Sequence, residues 1–170
     1  MDGFAQTGTR IHQPSIEPLN YLIRPITVVE FKELSGDLLQ EHYQELTLNK
    51  DVVKLDVNWE KYQKLEDCGM LVSLGAWEKG KFIGYSIFTV QTHLHYKGLR
   101  TAMNDVLYLR KDKRQGMAGV KLIKESEREL AKNGLIKVLW HVKFNTSLGP
   151  LLERFGYANE EYTMAKILGA

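Results

Sequence analysis

Apolar positions recur along this chain with two periods, and the switches between them predict its elements. Residues 21–26, Tyr-Leu-Ile-Arg-Pro-Ile, suit a short strand whose edge or end is marked by Pro25. Between residues 29 and 46, Val29, Phe31, Leu34, Leu38, Leu39, Tyr43 and Leu46 fall three and four apart among acids, which predicts a helix. A second helix is expected over 55–70, where Trp59, Tyr62 and Leu65 step by three and Gly69 provides a stop. Two β-rich runs, 70–77 and 82–92, flank the turn Glu78-Lys79-Gly80-Lys81 and predict an antiparallel hairpin. A further strand follows over 101–110, where Val106, Leu107, Tyr108 and Leu109 form an unbroken apolar run suited to a central position.

The most regular helical pattern covers 117–132: Leu122, Ile123, Ser126 and Leu130 share a face, and Gly134 stands where a C-terminal cap belongs. Residues 136–142 read as a strand, 150–155 as a short helix entered at Pro150, and 162–167 as a last strand. The expected order is β-α-α-β-β-β-α-β-α-β, an α/β domain with a mixed central sheet flanked by helices. Residues 1–20, rich in Gly, Thr, Gln and Pro, lack a sustained period and read as a flexible arm ahead of a single domain over 21–170.

Composition narrows the function classes. The 170 residues are 44% hydrophobic and carry 23 Lys+Arg against 21 Asp+Glu, a formal surplus of +2 that is too small to make duplex nucleic acid or an anionic membrane the expected partner. Cys68 is the single cysteine, which excludes an internal disulfide and a paired-thiolate zinc site; it reads as a buried or incidental thiol in a reducing compartment. The first residues have neither the basic start nor the apolar run of a signal peptide, and no stretch reaches the ~20 apolar residues of a membrane span, so the expected location is the cytoplasm.

The charge is not evenly spread. Arg110, closing the 101–110 strand, and Lys111, Lys113 and Arg114, in the short Gly-containing link to the 117–132 helix, are all basic. Such a link gathers unpaired backbone N–H groups, here those of Gln115, Gly116, Met117, Ala118 and Gly119, at the positive end of a helix, where they can hold a phosphate. An ordinary solvated turn has the same composition, so this feature alone leaves both readings open.

Three motifs in order carry a resemblance. The segment from Arg114 to Gly119, followed by Val-Lys-Leu-Ile, resembles the phosphate turn Gln/Arg-x-x-Gly-x-Gly/Ala of the GNAT family of acyl-CoA N-acyltransferases, with Met117 at the first Gly position and Gly116 one residue early. Asn145, Leu148 and Leu-Leu-Glu-Arg-Phe-Gly-Tyr over 151–157 keep the spacing of the family's downstream motif, and the hairpin over 75–85 resembles its second and third strands. Trp140 to Ser147 and Glu160 to Lys166 more loosely resemble acetyltransferase-like proteins of tailed phages, which would act in a host cytoplasm.

The resemblance implies the GNAT fold and direct transfer of an acetyl group from acetyl-CoA to an amine of a small molecule or a protein, without a metal. It implies that Leu107, Tyr108 and Leu109 pair with the pantetheine arm, that Arg114 to Gly119 hold the pyrophosphate, and that Asn145 belongs to the cofactor site together with Leu152, which takes the position that meets the sulfur. A lysine-type amine with a pKa near ~10.4 needs a base at neutral pH. Asp105 is the first candidate, placed by strand alternation on the face of Leu107 and Leu109, with an Asp that caps the strand or meets a basic neighbour as the competing reading. His141 is the second, set against an ordinary core or surface histidine. His93 and His95, one His-x-His step, read as lining the acceptor site or as merely exposed, and lack a third partner for zinc.

Leu152 occupies the position where many family members have an acidic Tyr; Tyr157 or Tyr162 could replace it. A CoA thiol with a pKa near ~8.5 can also leave unaided as thiolate. A non-catalytic binding or structural module of the same fold is the alternative, and a homodimer is left open. Nucleic acid would rest only on Lys111, Lys113, Arg114 and Lys143.

Overall fold

A computed structural model describes residues 21–168 of the chain; the expected N-terminal arm lies outside the described residues. Five strands form one sheet in the order β1 (Tyr21–Pro25), β2 (Leu71–Glu78), β3 (Lys81–Thr92), β4 (Arg100–Leu109) and β5 (Lys137–Leu139). The first four pair antiparallel in sequence, and β5 runs parallel to β4. The parallel step requires a crossover, supplied by a 3₁₀ turn (Lys111–Lys113) and α4 (Ala118–Lys132). The remaining helices are α1 (Val28–Leu34), α2 (Gly36–Leu46), α3 (Trp59–Asp67) and α5 (Leu148–Arg154). None of the described helices is long and apolar enough to cross a membrane.

Helices cover both faces of the sheet. Under α4, Leu74, Ile83, Phe88, Val90 and Leu109 pack with Ala118, Leu122 and Leu130. On the other face Phe31 of α1 and Leu38 of α2 meet Trp77, Tyr85, Ile87 and Tyr108, with Trp59 and Tyr62 of α3 at the margin. Both faces of β2 and β3 are therefore buried, which is why these strands read as continuous apolar runs. Their hairpin closes through Lys79 (φ 48°) and Gly80 (φ 77°), the left-handed pair that a two-residue turn needs to match strand twist.

Five elements differ from the sequence expectation, and one of them is the helix expected over 55–70, which spans only Trp59–Asp67 because the Asn58 side chain caps its start. The helix over 29–46 is two helices, because buried Ser35 caps the end of α1 and precedes Gly36, a poor helix former, at the start of α2. The strand expected over 136–142 is shortened to Lys137–Leu139, paired only with Thr101, Ala102 and Met103. Residues 162–167 form no strand: Tyr162 and Met164 are exposed, and the outer edge of β5 takes no further strand among the described residues. The short helix begins two residues earlier than expected, at Leu148, with Pro150 in its first turn, where its missing N–H costs nothing.

One irregularity bears on the site. Ile87 pairs with Val106 and Phe88 with Asn104, so Asp105 is an extra residue, a bulge in β4. The buried Asn104 amide donates to the carbonyls of Ile87 (3.3 Å) and Val106 (3.1 Å), tying the bulge on both sides.

Candidate active site

The strand, turn and helix predicted to hold phosphate are present in sequence order: β4 ends at Leu109, the 3₁₀ turn follows, and α4 starts at Ala118. The N–H groups of residues 115–120 have no hydrogen-bond acceptor among the described residues. Met117 is 56% exposed with an ordinary φ of −82°, so its side chain stands in solvent rather than among those donors. A Cβ on Gly116 would meet Tyr21 Oη at 3.1 Å, whereas one on Gly119 would make ordinary contact with Leu109 at 3.7 Å. Packing of α4 on the end of β4 therefore does not require a glycine at 119.

The basic side chains of the turn are engaged elsewhere. Lys113 Nζ is 2.7 Å from Glu78 Oε2 and 3.4 Å from Asp112, and these bonds raise its pKa. The guanidinium of Arg114 forks onto Glu45 of α2, Nη2 to Oε2 at 2.8 Å, while its Nε donates to the Leu109 carbonyl at 2.8 Å. The pair raises the Arg114 pKa and holds the Glu45 carboxyl below its usual range. Any grip on an anion here comes first from backbone N–H groups and the helix terminus.

Beyond Met103, β4 has no strand partner on its β5 side among the described residues, so the edge from Asn104 to Leu109 is open. The bulge at Asp105 lies on this stretch. Tyr62 of α3 donates its hydroxyl to Asp105 Oδ2, and the Tyr62 phenol is pushed far up by burial and then by that carboxylate. The bulge overturns the alternation argument: Asp105 meets α3 in the layer of Val106 and Tyr108, not the layer of Leu107 and Leu109 under α4.

The same layer holds a group that sequence reading passed over. His42 of α2 stacks on Tyr108 (centroids 5.0 Å apart, planes 11°), and its Nδ1 is 2.8 Å from Tyr85 Oη. Burial pulls the His42 pKa down to about 4, so the imidazole is neutral near pH 7, and burial likewise pushes the Tyr85 phenol far up. The available signal was a histidine on the apolar side of a helix otherwise crowded with acids. Tyr62 had been readable only as one of three core positions.

The other expected residues are scattered. His141 lies beyond the end of β5, exposed in the following loop, not on a strand. Tyr157 donates to Glu127 of α4 at 3.0 Å, edge-on to Trp140, and burial pushes its phenol up to about 12. It is therefore on the α4 side, apart from Asp105. Leu152 is buried in α5, and Asn145 holds φ 60° in the exposed loop before it, a conformation Asn tolerates well. His93 and His95 are exposed in the β3–β4 connection, at the opposite end of β4 from the phosphate turn. Cys68, expected as a buried or incidental thiol, is exposed at the end of α3. No group of three metal-ligating side chains occurs among the described residues.

A sequence model described as the acetyltransferase (GNAT) family matches residues 35–157. No curated protein sequence matches the chain. Among solved structures, the chain is similar to a ribosomal-protein-alanine N-acetyltransferase from Brucella melitensis biovar Abortus 2308, at TM-score 0.65 and 18% identity, covering 89% of this chain and 100% of that one. An aminoglycoside acetyltransferase from an uncultured soil metagenomic sample aligns at TM-score 0.69 and 14% identity over 89% of this chain and 100% of that one. A glucosamine-6-phosphate N-acetyltransferase from Arabidopsis thaliana aligns at TM-score 0.66 and 15% identity over 88% and 99% of the two chains.

Proposed function

Because the chain belongs to the GNAT acetyltransferase family, we propose that it is an N-acetyltransferase moving an acetyl group from acetyl-CoA to an amine. The observation that carries this reading is the run of unpartnered N–H groups over 115–120, set at the end of a strand whose open edge leads to the carboxylate of Asp105. These N–H groups and the α4 terminus would hold the pyrophosphate. The backbone of Leu107, Tyr108 and Leu109 would receive the pantetheine arm, and an N–H of that run would face the thioester oxygen.

When bound, acetyl-CoA supplies the acyl carbon as a thioester and accepts the electron pair of the broken C–S bond as thiolate. The residues of this chain manage the amine. Asp105 keeps Oδ2 on the Tyr62 hydroxyl, which leaves Oδ1 as the proton acceptor for the attacking amine. Tyr62 is too weak an acid to take part by ionising and instead fixes the carboxylate. His141, in a loop rather than on a strand, is the second choice for base, and His93 with His95 would border the acceptor only from the far end of β4. Acceptor specificity would then reside in α1, α2 and α3 and in the loop after β3, and the single exposed thiol fits work in the reducing cytosol.

The packing of Leu152 favours a second reading. Buried at 3% exposure, it fills a core position and offers no acid for the thiolate, as expected of a module that binds CoA without turnover. Millimolar CoA should raise the melting temperature of the chain in either case by mass action. Acceptor-dependent CoA release, measured across an amine and peptide panel and lost in Asp105→Asn, supports the enzyme. Tight binding with no release across the panel supports the module, and no thermal shift rejects both.

A further inference from the structure

If the turn holds the pyrophosphate of CoA, two acids of α2 compete with that ligand for the same cations. Glu41 and Glu45 are one helical turn apart and share a face. Glu45 takes both terminal nitrogens of Arg114, and Arg110 Nη2 is 3.3 Å from Glu41 Oε1. Tyr108 Oη lies 3.4 Å from an oxygen of each acid, and its ring stacks on His42 of the same helix. Residues 108, 110 and 114, all flanking the phosphate turn, thus fasten α2 to the sheet.

The contacts leave the turn self-neutralised. With Lys113 on Glu78 and Asp112, three of its four cations already face carboxylates. Arg110 Nε is buried without an acceptor among the described residues, so this guanidinium has bonding capacity left over. Arginine meets phosphate with the same planar fork it offers a carboxylate, and a diphosphate carries more charge than a single Glu. Glu45 and Arg114 keep 28% and 34% of their side-chain surface exposed, so a displaced Glu45 returns to water at little cost.

We propose that Glu45, supported by Glu41, is a positioning residue that occupies Arg114 as a resident anion and yields it to the pyrophosphate of the acyl donor. The exchange loosens α2 from Tyr108 and Tyr85 and bares the aromatic face beside Asp105, so that filling the donor site prepares the acceptor site. The proposal rests on the acetyltransferase reading and adds a coupling that the reading does not require.

Glu45→Gln keeps an acceptor for Arg114 but removes the charge. Calorimetry on the full chain should then find CoA bound about three- to tenfold more tightly than by the wild type. Hydrogen exchange of the α2 amides should quicken when CoA is added to the wild type, and should already be quick in free Glu45→Gln. A merely structural Glu45 gives the opposite sign, weaker CoA binding in the variant, and that result overturns the proposal. If Glu45→Gln does not fold, Glu41→Gln, which removes the longer ion pair, should tighten CoA in the same direction by about twofold; no tightening there overturns it equally. Wild type that binds no CoA defeats the acetyltransferase reading as well, whereas CoA binding with α2 exchange unchanged or slowed defeats only the coupling.

Discussion

The two faces of the sheet are built from different chemistry. Under α4 the contacts are mostly aliphatic, Leu74, Ile83, Val90 and Leu109 against Leu122 and Leu130, and the polar groups offered at the mouth of that layer belong to the backbone. Under α1, α2 and α3 they are aromatic and ionisable: Phe31 meets Tyr85 edge-on at 4.9 Å, His42 stacks on Tyr108, and Tyr62 holds Asp105. Any residue but proline can supply an N–H, so the first face should tolerate substitution wherever the backbone path survives. The second depends on particular side chains. On the proposed function, the donor would sit on the first face and the acceptor on the second.

The largest test of that division is a charge placed in the backbone site. Gly119→Asp puts a carboxylate in the first turn of α4, a position that suits the helix dipole and meets only Leu109 at ordinary distance, so the fold should hold. CoA affinity should fall on the order of a hundredfold by repulsion of the pyrophosphate. Binding within threefold of the wild type by calorimetry would remove the turn from the donor site.

On the side-chain face, Asp105→Asn should lower turnover by ~10²-fold, with CoA affinity unchanged. Tyr62 can still donate to the Asn carbonyl, so the melting temperature should move little. The matching His141→Ala, in an exposed loop, should leave turnover intact. A reversal of these two outcomes would move the base from the bulge to the loop after β5.

A pH titration separates the faces without a ligand. Because burial depresses the folded-state His42 pKa to about 4, the folded protein binds fewer protons than the unfolded chain between that value and ~6.5. This contribution is complete above pH ~6.5 and is lost as the pH falls toward 4, on the order of 2 kcal/mol. Chemical denaturation of wild type and His42→Gln should show the difference shrinking through that window. Parallel curves would mean that His42 is no more buried than an ordinary surface histidine.

Legibility in the sequence followed the same division. The α4 face was readable because its signals are periodic and local: one amphipathic helix, a strand running into a basic turn, and Gly134 as a stop. The side-chain face was not, since its site is assembled from residues far apart in the chain, Tyr62 with Asp105 and Glu45 with Arg114. The bulge that turns Asp105 toward α3 has no signature in β4 itself and exists through its pairing with β3. Ser35 and Gly36 did carry a visible break, overridden in reading by the apolar period that continues across them. The strand expected over 162–167 failed for the converse reason: a local alternation is present, but Tyr162 and Met164 stay exposed and no strand pairs with the segment.

The smallest expected effect concerns the residue that departs most plainly from the family's turn. Met117 stands where the motif has Gly, and a Gly there is needed only if the backbone adopts positive φ or a ligand approaches the Cβ. The first condition does not hold, as φ is −82°, and the exposed side chain stands in solvent, away from the N–H groups. Met117→Gly should therefore change CoA affinity by less than about twofold and cost a few tenths of a kcal/mol through the greater freedom of the unfolded chain. A tenfold gain in affinity would mean that the Met side chain obstructs the donor site and that the turn, when occupied, takes a path other than this one. On the proposed reading, the missing glycine matters less than its place in the motif suggests, because a phosphate would meet N–H groups whose direction is set by the start of α4.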